Sequence, residues 1–507
     1  MGNMEKKKEY GTIQFKTLNG NEYLYDSVTN CIFATDEIIN DCISGFENNT
    51  SEEVERTLVE KYGDNLKVRS AVRFVSKMIE EKHAFFRDDE WIRREEEHLY
   101  DFSEEDVKSC LYDFCAMEQL TLGVTEDCNL RCKYCFYSSA YENTRNRTNN
   151  MMSEEIAFKS LDYYFERMME IRKKHPGKIA AITFYGGEPL MNFELIKKSV
   201  QHIKDNYPYR YELYITTNGL LLSGKRAEFL HDNNFNIAIS LDGNKENHDR
   251  NRVTESGGGS FDVIYRNIKA FQEKYPNYPK LKLMGVYDYA TTLKNNNDYF
   301  KCENLPQYIS VNPVISKDTD YYDKFSQDDV NRFIGEFNES IISYLEKKTR
   351  GYISTEYTDI IIEKMITVIL IRLGADDKKY PFLPYTSTCV PGTKIFVTND
   401  GYFQICEKME FGKNIGSYKK GLDYSKIVNI TKEYNRTVTK DCQKCPVYRI
   451  CPYCFSTTGT EDSFEAPDCT KNIANAVMQL GIAVTALEYN PKAFEYFSCN
   501  TDRVFDI

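Results

Sequence analysis

Cys128-Asn129-Leu130-Arg131-Cys132-Lys133-Tyr134-Cys135 is a C-x3-C-x2-C run that follows a short apolar segment, Leu120–Thr125, which reads as a β-strand. Three thiolates in eight residues can wrap an iron-sulfur cubane but supply only three of its four iron ligands. One iron is then left open, as a cluster that must bind and reduce a ligand requires. A structural zinc knuckle would want a fourth ligand nearby, and the next thirty residues contain neither cysteine nor histidine.

Outward from this loop, Ile179–Tyr185, Glu212–Thr217, Phe235–Leu241, Leu281–Tyr287 and Tyr308–Asn312 are further short apolar or β-branched runs. Amphipathic stretches such as Glu154–Arg172 and Phe193–Asn206 separate them. Six such units predict an α/β fold, a parallel sheet clothed by helices. Polar, glycine-bearing turns end successive strands: Phe184-Tyr185-Gly186-Gly187-Glu188-Pro189, Thr216-Thr217-Asn218-Gly219, and Ser240-Leu241-Asp242-Gly243 followed by His248, Asp249 and Arg252. Glycines permit close backbone approach. The guanidinium fork of Arg252 matches a carboxylate bidentately.

A second group of cysteines lies downstream. Cys389 is followed after eleven residues by Gly401 and after four more by Cys406; then come Cys442, Cys445, Cys451, Cys454 and Cys469. Ile395-Phe396-Val397 and Asn399-Asp400-Gly401-Tyr402 read as a hairpin with an Asp-Gly turn. Cysteine, glycine and proline dominate this region, so metal rather than a large apolar core is expected to hold it together. Paired C-x2-C spacings also suit zinc, which keeps a purely structural role open.

The composition narrows the class. The 507 residues are 41% hydrophobic and 28% charged, with no apolar run of membrane-spanning length and no apolar segment behind the basic start, so a cytoplasmic protein without a membrane partner is expected. A net charge of −12 argues against a non-specific nucleic-acid grip. Sixteen cysteines in such a chain point to metal ligation rather than disulfides. Cys31 and Cys42 read as buried structural thiols.

Ahead of the barrel-like section, Gly11–Phe15 and Glu22–Tyr25 flank Leu18-Asn19-Gly20-Asn21 as a hairpin. Helical patterns follow at Ala34–Ile43, Ser51–Tyr62 and Leu66–Glu81. The charged stretch that begins Trp91-Ile92-Arg93 reads as a connector.

Together these motifs resemble the radical S-adenosylmethionine (SAM) superfamily, and the downstream cysteines resemble its SPASM auxiliary-cluster domain. The resemblance implies a partial (βα)6 barrel at 118–325. Around it come a winged-helix-like leader-recognition domain at 1–87, a linker at 88–117, a helical bridge at 326–384, the SPASM domain at 385–475 and a helical tail at 476–507. An accessory helical unit without a binding role is the other reading of the first segment. The implied cofactors are S-adenosylmethionine and three 4Fe-4S clusters. The first is held by Cys128, Cys132 and Cys135, the second by Cys389, Cys406 and Cys454, and the third by Cys442, Cys445, Cys451 and Cys469. Tyr134, Gly186, Gly187, Glu188, Thr217, Asn218, Ser240, Asp242 and Arg252 stand at positions that contact the cofactor. Two departures are visible: Cys451 and Cys454 are two residues apart where the family has three, and Leu383 stands where relatives with a saturated first auxiliary cluster have a cysteine.

The resemblance points first to a maturase that installs a thioether or related crosslink in a cysteine-rich ribosomal precursor peptide. That peptide would be held through its leader at the hairpin edge, with flavodoxin or ferredoxin as electron donor. The enzymatic alternative is an anaerobic sulfatase-maturating type of enzyme forming formylglycine from serine or cysteine. Such enzymes carry an aspartate after the cysteine matching Cys406, where this chain has Glu407 as candidate base. A non-catalytic iron-sulfur scaffold is the third reading.

Overall fold

The structure, a computed structural model, describes residues 9–87, 99–138, 141, 146–352, 356–373, 380–386, 388–409 and 413–494. Parts of the expected linker and tail, and Cys499, lie outside the described residues. Among those described, no helix is long and apolar enough to cross a membrane.

The N-terminal strands are β1 (Glu9–Tyr10), β2 (Thr12–Lys16), β3 (Glu22–Asp26), β4 (Cys31–Ala34) and β5 (Phe86–Arg87). β2, β3 and β4 form an antiparallel sheet, and β1 pairs with β5. Helices Glu37–Gly45, Ser51–Tyr62 and Leu66–Lys82 follow β4. The second of these opens with a reciprocal capping box between Thr50 and Glu53. Ala34, expected to begin a helix, instead ends β4, and the helix starts three residues later, capped by Asp36. Alternation along β3 splits its side chains between two cores. Leu24 joins Phe33 against the three helices. Tyr23 and Tyr25 join Phe15 and Ile32 against helices Gln327–Thr349, Tyr357–Leu373 and Cys469–Tyr489. Fully burying one such side chain contributes roughly 1.5–3 kcal/mol, so this face fastens the N-terminal unit to the rest of the chain.

The central sheet has ten strands. β6 (Gln119–Thr125), β7 (Ala180–Gly186), β8 (Tyr211–Thr217), β9 (Asn236–Ser240), β10 (Leu281–Tyr287) and β11 (Tyr308–Pro313) run parallel in chain order. Leu120, Leu122 and Val124 are fully buried, and the intervening Thr121 and Gly123 are buried too, as expected of a parallel strand covered on both faces.

The remaining four strands correct one expectation. β12 (Lys394–Val397) pairs parallel with β6, and β13 (Tyr402–Gln404), β14 (Asn414–Ser417) and β15 (Gly421–Leu422) continue antiparallel from it. The cysteine-rich region therefore extends the barrel sheet. Phe403, Ile415, Ile427, Tyr434, Phe455 and Phe464 belong to the same apolar core as the barrel, so metal is not all that holds this region. The Asp400-Gly401 turn has Gly401 at φ +91°, a conformation that favours glycine.

The expected linker is also more than a connector. Helix Glu104–Tyr112, capped by Ser103 and Asp106, buries Val107, Cys110 and Leu111 in the main core, with Met117 beside them. Its charged spacing hid a narrow apolar stripe. The expected tail begins earlier, as helix Cys469–Tyr489.

Candidate active site

The three-cysteine loop leaves the C-terminal end of β6 and is pinned to the last residue of helix Lys245–Asn251 and to the segment after it. Arg131 N donates to Val253 O at 2.7 Å and Lys133 N to Asn251 O at 3.0 Å. Arg131 braces the loop from inside, donating from Nη1 to Cys128 O at 2.5 Å and from Nη2 to Glu255 at 2.7 Å. The thiols of Cys128, Cys132 and Cys135 lie within reach of one another's charge. Burial pushes them up to about 12, 12 and 11, so binding iron must displace their protons.

Gly186 and Gly187 close the other side of the loop. A Cβ on Gly186, at φ +139°, would meet Thr125 O at 2.1 Å, and one on Gly187 would meet Asp127 O at 2.2 Å. Both glycines are thus demanded by the chain's own approach to the cysteine loop. Glu188 is fully buried and accepts from Asn218 N at 2.7 Å, Thr217 Oγ1 at 2.8 Å and Leu190 N at 3.0 Å. Burial pushes its carboxyl up to about 7, against the pull of those donors. Both carboxylate oxygens are therefore engaged inside the chain, tying the end of β7 to the end of β8. Asn218, positioned by that tie, donates to Asn129 Oδ1 at 2.7 Å and faces Cys128 Sγ at 3.7 Å.

At the ends of β9 and β10, Asp242 gathers the next group. Its Oδ1 accepts from Val286 N at 3.0 Å, and its Oδ2 accepts from Arg252 Nε at 2.8 Å and from the Tyr134 hydroxyl. Arg252 lies over the Tyr134 ring, 5.5 Å from its centroid, and lowers the Cys132 thiol against the effect of burial. Among the described residues neither Nη of Arg252 has a hydrogen-bond partner, nor does the half-buried Ser240 hydroxyl. His248 receives Asp242 N at 3.3 Å and meets Ser260 Oγ at 2.9 Å.

Three thiols on one loop, a polar amide on one of them and a guanidinium fork beside another fit a three-ligand cluster that carries a carboxylate-bearing ligand. Among the described residues no three histidine, cysteine, aspartate or glutamate side chains converge as a single ion needs. One zinc draws its sulfurs to about 2.3 Å from a point, whereas a cubane spreads its thiolates over separate irons.

In the C-terminal region, Cys389, Cys406 and Cys454 feel one another's charge, with Glu407 next to Cys406. Cys445 feels Cys469, and Asn472 Nδ2 lies 3.4 Å from Cys451 Sγ. Cys442 and Cys445 pack against Tyr385 and Tyr448. Leu383 is buried in the main core.

Residues 122–296 match the family model of the radical SAM superfamily. That segment, which runs from β6 past β10 and includes the cysteine loop, is therefore similar to the radical SAM superfamily. Most of the chain shares a known fold: the structure described as native anSMEcpe with bound AdoMet superposes with a TM-score of 0.51 at 20% identity, covering 75% of this chain and 99% of that one. This establishes the α/β radical SAM partial barrel with a cysteine-rich, SPASM-like C-terminal region. A cysteine-type anaerobic sulfatase-maturating enzyme of Clostridium perfringens is 25% identical over 64% of this chain and 84% of its own length. The radical SAM cyclopropyl synthase TigE of Paramaledivibacter caminithermalis is 29% identical over 52% of this chain. The match spans about half of that relative, 48% of its length.

These relatives overturn the first functional expectation. Matches over most of a relative's length fall on cysteine-type anaerobic sulfatase-maturating enzymes, 84% to 87% of whose length is covered, and also on GTP 3',8-cyclases, 89% covered, rather than on crosslink-forming maturases of cysteine-rich precursors. A structure of the same fold is described with a bound Cp18Cys peptide. The hairpin turn itself is not free. The Leu18–Asn21 turn is docked on helix Cys469–Tyr489, where Glu488 accepts from Asn19 at 2.8 Å and Asn21 at 2.9 Å, and Thr485 Oγ1 accepts from Leu18 N at 3.0 Å.

Sequence reasoning missed two residues of consequence. Arg87, fully buried at the end of β5, donates to Cys445 O at 2.9 Å and to Gln443 O, and lies 5.4 Å from the Tyr448 ring centroid. Lys364, on the helical bridge, faces the end of β11. No local motif marks either, because each acts on a segment far away in the chain.

Proposed function

We propose that this chain is a radical SAM enzyme of the anaerobic sulfatase-maturating type, which oxidises a cysteine or serine side chain of a polypeptide substrate, such as a sulfatase, to formylglycine. The observation that carries the reading is the extent of likeness to the Clostridium perfringens enzyme, 84% of whose length is matched.

Cys128, Cys132 and Cys135 would hold the catalytic 4Fe-4S cluster. Ser240 and the outer nitrogens of Arg252 would receive the cofactor carboxylate, within the wall formed by Tyr134, Asp242, Thr217, Asn218, Gly186, Gly187 and Glu188. Bound S-adenosylmethionine and reduced cluster supply a hydrogen-abstracting radical. Two further clusters are assigned to Cys389, Cys406 and Cys454 and to Cys442, Cys445, Cys451 and Cys469. The chain's own chemical task is then proton removal from the substrate sulfur or oxygen, and Glu407, beside Cys406, is the base.

The test is anaerobic reconstitution, chemical reduction, and incubation with S-adenosylmethionine and either a synthetic cysteine peptide or its serine twin. A new carbonyl, seen by mass and by hydrazide labelling, is expected in at least one. Cofactor cleavage without a carbonyl in either peptide overturns the reading.

A further inference from the structure

The N-terminal unit ends against the cysteines at 442–469. Arg87, the last residue of β5, is fully buried there. Its Nη2 donates to Cys445 O at 2.9 Å and to Ser27 Oγ in the turn after β3, and its Nη1 donates to Gln443 O. From the C-terminal region, Arg449 Nε donates to Ser27 O at 2.7 Å and Arg449 Nη2 to Val28 O at 3.4 Å. Val28 packs with Leu99, Tyr385 and Tyr448 in one apolar cluster, and Cys442 and Cys445 lie against it. Residues of the N-terminal unit therefore form part of the wall around this cysteine set.

The donor set fits a cubane. Among the described residues no three such side chains converge as a single ion needs, and the sulfurs already have donors: Val447 N–H at Cys445, and Asn472 Nδ2 at 3.4 Å from the buried Cys451 Sγ. Hydrogen bonds to sulfur, net charge and solvent exposure set the potential of an iron-sulfur cluster. Reduction adds one negative charge to it. A fixed positive charge close by favours the reduced form, and more so in the protein interior than in water. Arginine keeps its proton even when buried. Burial pushes the Cys445 thiol up; the Val447 N–H opposes this, Cys469 adds to it, and the charge of Arg87 opposes it again. Asp26, the buried carboxylate that acts on Arg87, also accepts from Val28 N at 3.0 Å, Thr29 N at 3.2 Å and Thr29 Oγ1 at 2.6 Å.

We propose that the N-terminal unit serves this cysteine set: Arg87 supplies a buried positive charge that raises the reduction potential of the cluster held by Cys442, Cys445, Cys451 and Cys469. The proposal rests on the assignment of a 4Fe-4S cluster to these four cysteines and not on the formylglycine reading. It gives residues 9–87 a task that needs no bound peptide. The step concerned is the uptake of one electron, with no bond made or broken, and in the test dithionite supplies that electron.

The test uses the full chain, reconstituted anaerobically, with Cys128, Cys132 and Cys135 replaced by alanine so that only the two downstream clusters report. Stepwise reduction with dithionite, followed by electron paramagnetic resonance, gives their midpoint potentials, and Cys445→Ser marks which one belongs to this set. Arg87→Gln keeps an amide donor but loses the charge. It should lower that midpoint by about 59 mV, a tenfold change in a one-electron equilibrium, and leave the other in place. Arg87→Lys, which keeps the charge, should stay near the parent value. An unmoved midpoint, an equal fall in both, or a fall in Arg87→Lys as large as in Arg87→Gln overturns the proposal. If Arg87→Gln loses its iron, the parent midpoint is followed across a range of salt. A buried charge is screened little, so a constant value supports the proposal and a marked drift overturns it. Absence of iron from these cysteines overturns it as well. Carbonyl formation by the wild type has no bearing on these midpoints, so either reading can fall without the other.

Discussion

Arg252 and Asp242 are bound to each other: the arginine Nε donates to the aspartate Oδ2 at 2.8 Å, with the two side chains 11% and 3% exposed. The pair aims the arginine fork toward Cys132 instead of leaving it to find its ligand. Breaking a buried pair from one side costs about 3–5 kcal/mol, so Asp242→Asn should lower the melting temperature markedly. Arg252→Lys keeps the charge but loses the fork, and a lost charged hydrogen bond of about 1.5–3 kcal/mol predicts roughly 10- to 100-fold weaker S-adenosylmethionine binding. Thermal melts of the first variant and isothermal titration of the second, both reconstituted, read these effects.

Replacing Cys128, Cys132 and Cys135 together by alanine should remove about four irons, one cubane's worth, and all cofactor cleavage. The cysteines at 389–469 should keep their iron, because the core and β12–β15 that position them are untouched. Iron analysis with assay of 5'-deoxyadenosine checks this, and residual cleavage would remove the loop from the active site.

Glu407→Gln should slow carbonyl formation by about 10²- to 10⁴-fold, the usual contribution of a general base, while cofactor cleavage continues without product. Glu407→Asp should recover part of the loss. If both variants match the wild type in single-turnover assays, the base lies elsewhere.

Burial lowers His248 from 6.5 to about 4, with Asp242 opposing the shift, Arg252 reinforcing it and Asp249 opposing it. The unfolded chain therefore takes up a proton between these values that the native chain refuses. Its contribution to stability is full above pH 6.5 and is lost as the pH falls toward 4. At about 1.4 kcal/mol per pH unit, the loss is on the order of 3 kcal/mol. Denaturant titrations across that window should show a shallower decline in His248→Gln.

Arg87→Met would leave the carbonyls of Gln443 and Cys445 without a buried donor, at about 1–3 kcal/mol for each. The expected outcome is a lower melting temperature and faster loss of iron from the Cys442–Cys469 set to a chelator, with the Cys128 loop unaffected. Equal loss from both sets would mean that Arg87 supports the whole fold and not this loop.

The barrel was legible because its information is local. Each parallel strand, buried on both faces, shows as a short apolar run, and the three thiols with their trailing glycines sit within single turns. Spacing alone therefore exposed Cys128, Cys132 and Cys135, the turn at Gly186, and helices such as Phe193–Asn206. The N-terminal hairpin was readable for the same reason. Its role was not, because the docking of Leu18–Asn21 on a helix more than 450 residues later leaves no trace in either segment. The same holds for the joining of β12 to β6 and for Arg87 against Cys445. Local periodicity and turn chemistry determined which elements form and which loop carries the thiols. Only tertiary packing decided what each unpaired surface covers, because a parallel ladder, a buried guanidinium and a docked turn are set by partners that chain order does not bring together.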